Sequence, residues 1–265
     1  MTEREIAADH VRRLTRLKLW YVRWLMDNEG MGFEEAVRGR VNLYRMTILS
    51  GDADRGIPED MDAWEGLLGG LGELYRERRA DVDTEAIEAE GLKLLWPQLE
   101  PAIERDLRIR DAWLASAIGC FQYEFTKFYG DPESEDYLTL HYRNAYRADS
   151  PFHHIPEMAD SLREIVRRAE EERPDVTWVQ MGSWLNSFPP FAGIFPRSWI
   201  DLAEPGRPGS HSGWWGQFED RRGGFHDRNA REFRATGQFP FRHLLARCPI
   251  SDLREHLKSL PSPSG

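Results

Sequence analysis

Thr177-Trp178-Val179-Gln180-Met181-Gly182-Ser183-Trp184-Leu185-Asn186 decides between an all-helical protein and one that contains a sheet. Residues 177–181 alternate in polarity and are rich in β-formers, so they read as a strand, and Gly182-Ser183 then turns the chain. Trp214 to Glu219 and Arg242 to Cys248 are strand candidates of the same kind. Helical stretches alternate with them. Glu157 to Arg173 is charged and amphipathic and is closed by Pro174; short helices fit 197–202 and 229–234; Ser251 caps a last helix through Lys258. Residues 204–213 are a loop of Gly, Pro and Ser, Arg222-Gly223-Gly224 is a turn, and the tail 261–265 is expected to be disordered.

Upstream, residues 1 to about 130 read as helices. Ile6 to Met26 places Ile6, Val11, Leu14, Leu17, Val22 and Leu25 at helical spacing between Arg and Lys. Phe33 to Leu49 repeats the pattern. Residues 52–60 read as a loop, with Pro58 in the first turn of a helix over 61–79 that Gly69, Gly70 and Gly72 weaken by about 1 kcal/mol each. A helix follows over 85–96. Pro97 and Pro101 are expected to break or kink it, and a long helix is expected over 102–129 through Trp113, Phe121, Phe125 and Phe128. The fold class is α+β: a helical N-terminal layer, 1–135, packed on a smaller α/β domain, 150–260, with the change of character near 131–150.

The 265 residues carry 35 Lys and Arg against 45 Asp and Glu, a net charge of -10. That balance opposes general binding to DNA or RNA and docking on anionic lipid, which need clustered cations. No apolar run approaches the roughly 20 residues of a membrane span, and MTEREIAADH lacks the apolar core of a secretory signal, so a cytoplasmic protein is expected. Two cysteines, Cys120 and Cys248, make neither a disulfide framework nor a Cys-rich zinc site. No phosphate loop or G-x-G-x-x-G fingerprint is present; GLLGGLG at 66–72 sits inside a helical pattern.

Of 10 tryptophans, Trp178, Trp184, Trp199, Trp214 and Trp215 fall within about 40 residues. The expectation is an enclosed hollow lined by these indoles, with titratable groups on its rim. His154 lies between two prolines, and imidazole is the group best suited to proton transfer near neutral pH. Ser183 opens a turn at a strand end, where sites collect in α/β folds, but Leu185 replaces the second glycine of a nucleophile elbow. His211 sits in the Gly/Ser loop before Trp214, and Asp220 with Arg221 follows the strand that this loop enters. His154, Ser183, His211 and Asp220 are thus the catalytic candidates; Trp184, Asn186, Trp215, Gln217, Glu124 and Arg221 are the substrate-binding ones. Glu124 reads as a carboxylate on an apolar helix, either on its wet face or buried with a raised pKa. The histidines show no His-x-x-x-His, Glu-x-x-His or His-x-Asp pair, so neither a metal nor a cofactor is expected.

Residues 154–257 resemble uncharacterised bacterial proteins that carry a G-x-SWL turn, an F-P pair, a W-G-Q-F segment and a closing P-I. Here these are Gly182 to Leu185, Phe195-Pro196, Trp215 to Phe218 and Pro249-Ile250. His154-Ile155-Pro156, Asp160-Ser161-Leu162 and Ser183-Trp184-Leu185 are also similar to the C-terminal domain of two-domain GNAT-like acyltransferases. The resemblance implies a GNAT-like α/β C-terminal domain behind a helical one. That family holds the CoA pyrophosphate on an R/Q-x-x-G-x-G/A loop opening a helix, which this chain lacks.

Three functions fit the sequence. The first is a metal-free small-molecule tailoring enzyme, using His and carboxylate acid-base chemistry on a cationic or amine-bearing substrate for cyclisation or group transfer in biosynthesis. Aromatic faces attract ammonium by about 0.5–2 kcal/mol per contact. The second is a GNAT-like acyltransferase using acyl-CoA. The third is a non-catalytic subunit that docks a protein partner through an exposed patch of Trp199, Trp214 and Trp215.

Overall fold

A computed structural model describes residues 1–51, 61–81, 83–129, 131, 133–206, 209 and 212–262. The loop expected over 52–60, Pro58 included, and the end of the tail lie outside the described residues. The long helices are α1 Glu3–Asn28, α2 Met61–Glu77, α3 Glu85–Ser116, α4 Ile155–Glu172, α5 Asp227–Thr236 and α6 Ile250–Ser259. The strands are β1 Phe121–Lys127, β2 Asp136–Tyr142, β3 Trp178–Ser183, β4 Glu204–Pro205 and β5 Leu244–Pro249. The chain is α+β, and no helix among the described residues is long and apolar enough to cross a membrane.

Two compact units form: Met1–Arg110 with Pro208–Pro240, and Asp111–Arg207 with Phe241–Gly265. The division falls before the 131–150 expected from sequence for two local reasons. The helix expected to reach 129 stops at Ser116, where Gly119 takes φ 60°, and Phe121 already begins a strand. Residues 212–240 return to the helical unit, and 212–218 and 227–236 of them are helix or 3-10 turn rather than strand. The strand expected over 214–219 is instead a helical turn, Ser212–Trp215, followed by a 3-10 turn over Gly216–Phe218, and Trp214 and Trp215 are both buried.

In the helical unit α1 starts with a capping box: the Glu5 amide donates to Thr2 Oγ1 at 3.2 Å, and the Thr2 amide donates to Glu5 Oε2 at 2.7 Å. Leu14, Leu17, Tyr21, Val22 and Leu25 then bury one face against Leu68, Leu71 and Tyr75 of α2, Leu95 and Leu99 of α3, and Phe233 of α5. Helix α3 runs unbroken through Pro97 and Pro101, against expectation. Both prolines are exposed, so the carbonyls they leave without amide donors lie on the wet side, where water can serve them. Glu88, 3% exposed, is matched by a two-pronged contact from Arg234 at 2.8 and 2.7 Å.

In the second unit the sheet order is β1-β2-β3-β5-β4. Strand β2 is antiparallel to β1 and parallel to β3; β5 is antiparallel to both β3 and β4. A parallel neighbour requires a crossover, and α4 supplies it between β2 and β3. Its apolar stripe, Met158, Ala159, Leu162, Ile165, Val166 and Ala169, is buried in this unit's core with Leu138, Val179 and Ala246. The buried Gln180 amide of β3 donates to Thr139 Oγ1 of β2 at 2.8 Å and to the Lys127 carbonyl at 2.9 Å. The outer strand β4 is two residues long and contains a proline.

Gly237 ends α5 at φ 70°, with its amide on the Phe233 carbonyl at 2.7 Å, and a Cβ there would fall inside the Trp24 ring. Gly237→Ala is therefore expected to lose about 2 kcal/mol of stability, read from the urea midpoint; an unchanged midpoint would mean that this turn is not held as described.

Candidate functional site

Strands β2 and β3 pair at only two positions, Leu138 with Val179 and Thr139 with Gln180. Beyond them Leu140 to Tyr142 stay paired to β1, while Met181 to Ser183 stay paired to β5. The C-terminal ends of the parallel pair thus belong to separate ladders, and the chain leaving β2 must cross to α4. Crevices beside the carboxyl ends of parallel strands are where α/β folds bind ligands.

The segment 143–154 leaving β2 carries a cluster of two imidazoles and a carboxylate. Ala148 takes φ 76°, a left-handed bend that costs a non-glycine residue about 1 kcal/mol or more. The bend brings Asp149 beside two imidazoles. Asp149 Oδ1 lies 3.0 Å from His153 Nδ1, and its Oδ2 lies 3.1 Å from His154 Nε2. The Ser150 amide, donating to Oδ1 at 2.7 Å, and then the two histidines hold the Asp149 carboxyl below the usual carboxylate range. An ionised carboxylate can only accept, so His154 donates from Nε2, and in the neutral ring the lone pair is then on Nδ1. That Nδ1 faces Glu157 Oε1 at 3.6 Å. Glu157 Oε2 is out of solvent and has no hydrogen-bond partner among the described residues.

The Tyr146 ring lies flat on His154, centroids 3.9 Å apart at 9°. His154 is also the residue from which α4 starts, so its backbone is anchored while its ring is clamped between a stacked phenol and a carboxylate. Burial, then Cys120 and Glu157, push the Tyr146 phenol up to about 12. An aromatic run continues away from this point: Phe152 meets Phe188 at 4.6 Å, Phe188 meets Phe241 at 5.8 Å, and Phe241 meets Trp184 at 5.3 Å. The group is therefore an oriented base with a carboxylate behind it, a second carboxylate in front and an apolar aromatic wall nearby. Among the described residues no group of three His, Cys, Asp or Glu side chains could hold a metal ion.

The other expected site residues divide between the two units. In the sheet unit, Ser183 Oγ accepts the Leu185 amide at 3.1 Å and caps a turn. Asn186 is buried, donating to the Met181 and Leu244 carbonyls and accepting the Trp199 indole N–H at 3.1 Å, so all of its amide is spent on holding the turn. Glu124 sits on a strand rather than a helix; it is exposed, in line with the wet-face alternative and against the buried one, and faces His141 at 2.8 Å.

In the helical unit, Asp220 Oδ1 accepts the Arg222 and Gly224 amides at 2.8 Å each, a closed Asx turn, and Arg221 is exposed on that turn. Trp215 is buried and donates its indole N–H to the Gly209 carbonyl at 3.2 Å; Gln217 is buried on the Trp214 carbonyl at 2.9 Å. His211 lies outside the described residues. The five clustered indoles do not line one hollow: Trp199, Trp214 and Trp215 are core residues, and they belong to different units. Three buried rings are likewise no exposed docking patch.

Tyr146, Asp149 and Glu157 were not singled out from the sequence. The signal was the spacing: Asp149 precedes His153 by four residues, and Glu157 follows His154 by three, the latter one helical turn. Comparison with protein-family models, curated proteins and solved structures finds no match to this chain.

A raised phenol favours the neutral ring in the folded chain. Its contribution to stability is complete below the ordinary value of 10.0 and is lost as pH rises through about 12. The component of the tyrosinate absorbance titration that disappears in Tyr146→Phe should therefore lie near pH 12; a component at the ordinary value would contradict the sheltered stack.

Proposed function

We propose that the sheet unit is a metal-free acid-base enzyme acting on a small amine-bearing molecule. The observation that carries this is the Asp149–His154 pair, stacked under Tyr146 on the segment that leaves the carboxyl end of β2. A base whose own partner fixes its tautomer is the arrangement that proton transfer from a nucleophile needs. Glu157 and Asp149 supply negative charge for a substrate ammonium, and aromatic faces attract the same cation. The acidic chain, at -10, favours its approach.

In the proposed step His154 Nδ1 takes a proton from the substrate amine. The freed nitrogen attacks an electrophilic carbon of the same molecule, or of a donor. The new C–N bond forms as the bond to the leaving group breaks, and His154 returns the proton to that leaving group. Help of this kind is worth about 10²–10⁴ in rate.

Acyl transfer is the second reading, favoured by the β2–α4–β3 crossover. It agrees with the GNAT-like C-terminal domain that the resemblance implies, whose donor pyrophosphate sits where a loop opens a helix. At the corresponding start of α4 stand Asp149 and Glu157, whose charge opposes a pyrophosphate. That charge is why an amine substrate without a nucleotide donor is preferred.

The test is consumption of small molecules from a metabolite extract, followed by mass spectrometry with and without acetyl-CoA. The expected outcome is loss of an amine-bearing species without acetyl-CoA, slowed about 10²–10⁴-fold in His154→Ala and less in Asp149→Asn, with thermal midpoints unchanged. The same consumption rate in His154→Ala would sink the proposal, and turnover only with acetyl-CoA would replace it by the second reading.

A further inference from the structure

Lys18 is a charged residue in an apolar position. It shares the inward face of α1 with Leu14, Val22 and Leu25 and is 4% exposed. Its ammonium has no hydrogen-bond or ion-pair partner among the described residues; the nearest group of note is the Trp215 ring, 4.9 Å to its centroid. A buried amine without a counter-ion is a costly feature that a leucine or methionine would remove.

The amine lines a cavity of about 310 Å³ within the helical unit. Leu14, Val41, Leu99 and Trp215 give it apolar walls, and His10, Asn42, Arg45, Asp106 and Glu219 bring polar atoms to it. Two of those polar atoms are orphans. Asn42, 9% exposed, keeps a buried Oδ1 without a partner among the described residues, and His10 keeps a buried Nδ1 in the same condition. Asn42 closes the 37–41 turn at φ 54°, the left-handed cap that Asn readily adopts, with its amide on the Val37 carbonyl at 2.8 Å. The His10 ring bonds the Gly224 backbone, which leaves Nδ1 as a lone pair, and burial lowers its pKa, so the ring is neutral.

These groups select among ligands. An anion would meet the Asn42 and His10 acceptors and the carboxylates of Asp106 and Glu219. A cation would meet Lys18 and Arg45. A neutral compound with an electrophilic centre meets a nucleophile. We propose that this cavity takes a small, largely apolar aldehyde or ketone, and that Lys18 Nζ condenses with its carbonyl carbon to form an imine.

The step is balanced. The Nζ lone pair forms the C–N bond while the carbonyl π electrons move to oxygen, which takes a proton. The C–O bond then breaks and oxygen leaves as water, its two hydrogens coming in sum from Nζ, as nitrogen forms the second bond to carbon. Nothing is oxidised or reduced. His10, on the wall of the same cavity, is the group assigned to relay the proton. Condensation needs a neutral amine, and burial followed by the Arg45 charge brings Lys18 down to about 7. The groups facing it from the packed elements are His10 of its own helix, Arg45 of the 43–46 turn, Asp106 of α3 and Glu219. This site lies in the helical unit and stands or falls independently of His154.

The chain contains four lysines, and Lys93, Lys127 and Lys258 are exposed. They are internal references for a trapping experiment on the full wild-type chain at pH 7, using benzaldehyde with cyanoborohydride, and formaldehyde as a smaller probe, read by peptide mapping. Lys18 is expected to be alkylated at least about tenfold faster than any exposed lysine, with a rate that levels off above about pH 7. Lys18→Met should lose that adduct and keep its thermal midpoint. Labelling of Lys18 no faster than the exposed lysines with both probes overturns the proposal, and because that result comes from the wild type it does not depend on the variant folding.

Discussion

The sheet unit depends on one buried side-chain amide. Gln180 sits in the register where β2 and β3 meet and bonds Thr139 across the junction and the Lys127 carbonyl beyond it. Three strands are therefore tied by one residue that water does not reach, where an unmade hydrogen bond costs about 1–3 kcal/mol. Fixing the strands there, and nowhere further along, lets β2 follow β1 and β3 follow β5 to their ends. The chain leaving β2 then runs through the 143–154 segment into α4, and that segment gives His154 its position.

Much of the fold was legible because its signals are local. The α1 face, the α4 stripe, the β3 alternation and the α5 and α6 stretches all show their period in the sequence, and each forms within a few residues of its reading. Strand β1 shows its period too: Phe121-Gln122-Tyr123-Glu124-Phe125-Thr126 alternates strictly. It was hidden because Trp113, Leu114 and Ile118 before it share a helical spacing that Phe121, Phe125 and Phe128 continue. The prolines of α3 misled for another reason. What a proline does to a helix depends on which side meets water, and packing decides that.

The site was less legible. His154 could be read from chemistry, but Asp149 reaches it only through the bend at Ala148, and no residue type announces left-handed backbone at an alanine. Lys18 was visible only as one of the charges interleaved in α1. That it faces inward follows from the phase of the helix. That no carboxylate among the described residues pairs with it follows from the surrounding packing, which a single sequence does not encode. Elsewhere in the helical unit buried charge is answered: Glu88 by Arg234, Arg40 by Glu29 at 2.8 Å and Tyr21 at 3.1 Å, and Arg105 by the Thr47 carbonyl at 2.9 Å.

The outer strand β4 bears on solubility. Its two residues, Glu204 and Pro205, end the sheet with an acidic side chain and a ring that has no amide hydrogen to offer. A free sheet margin ordinarily invites another polypeptide to continue the ladder, and through that to fibrils. Here the margin is too short and too poor in donors to template such growth, so crowding alone should not drive these molecules together along that side.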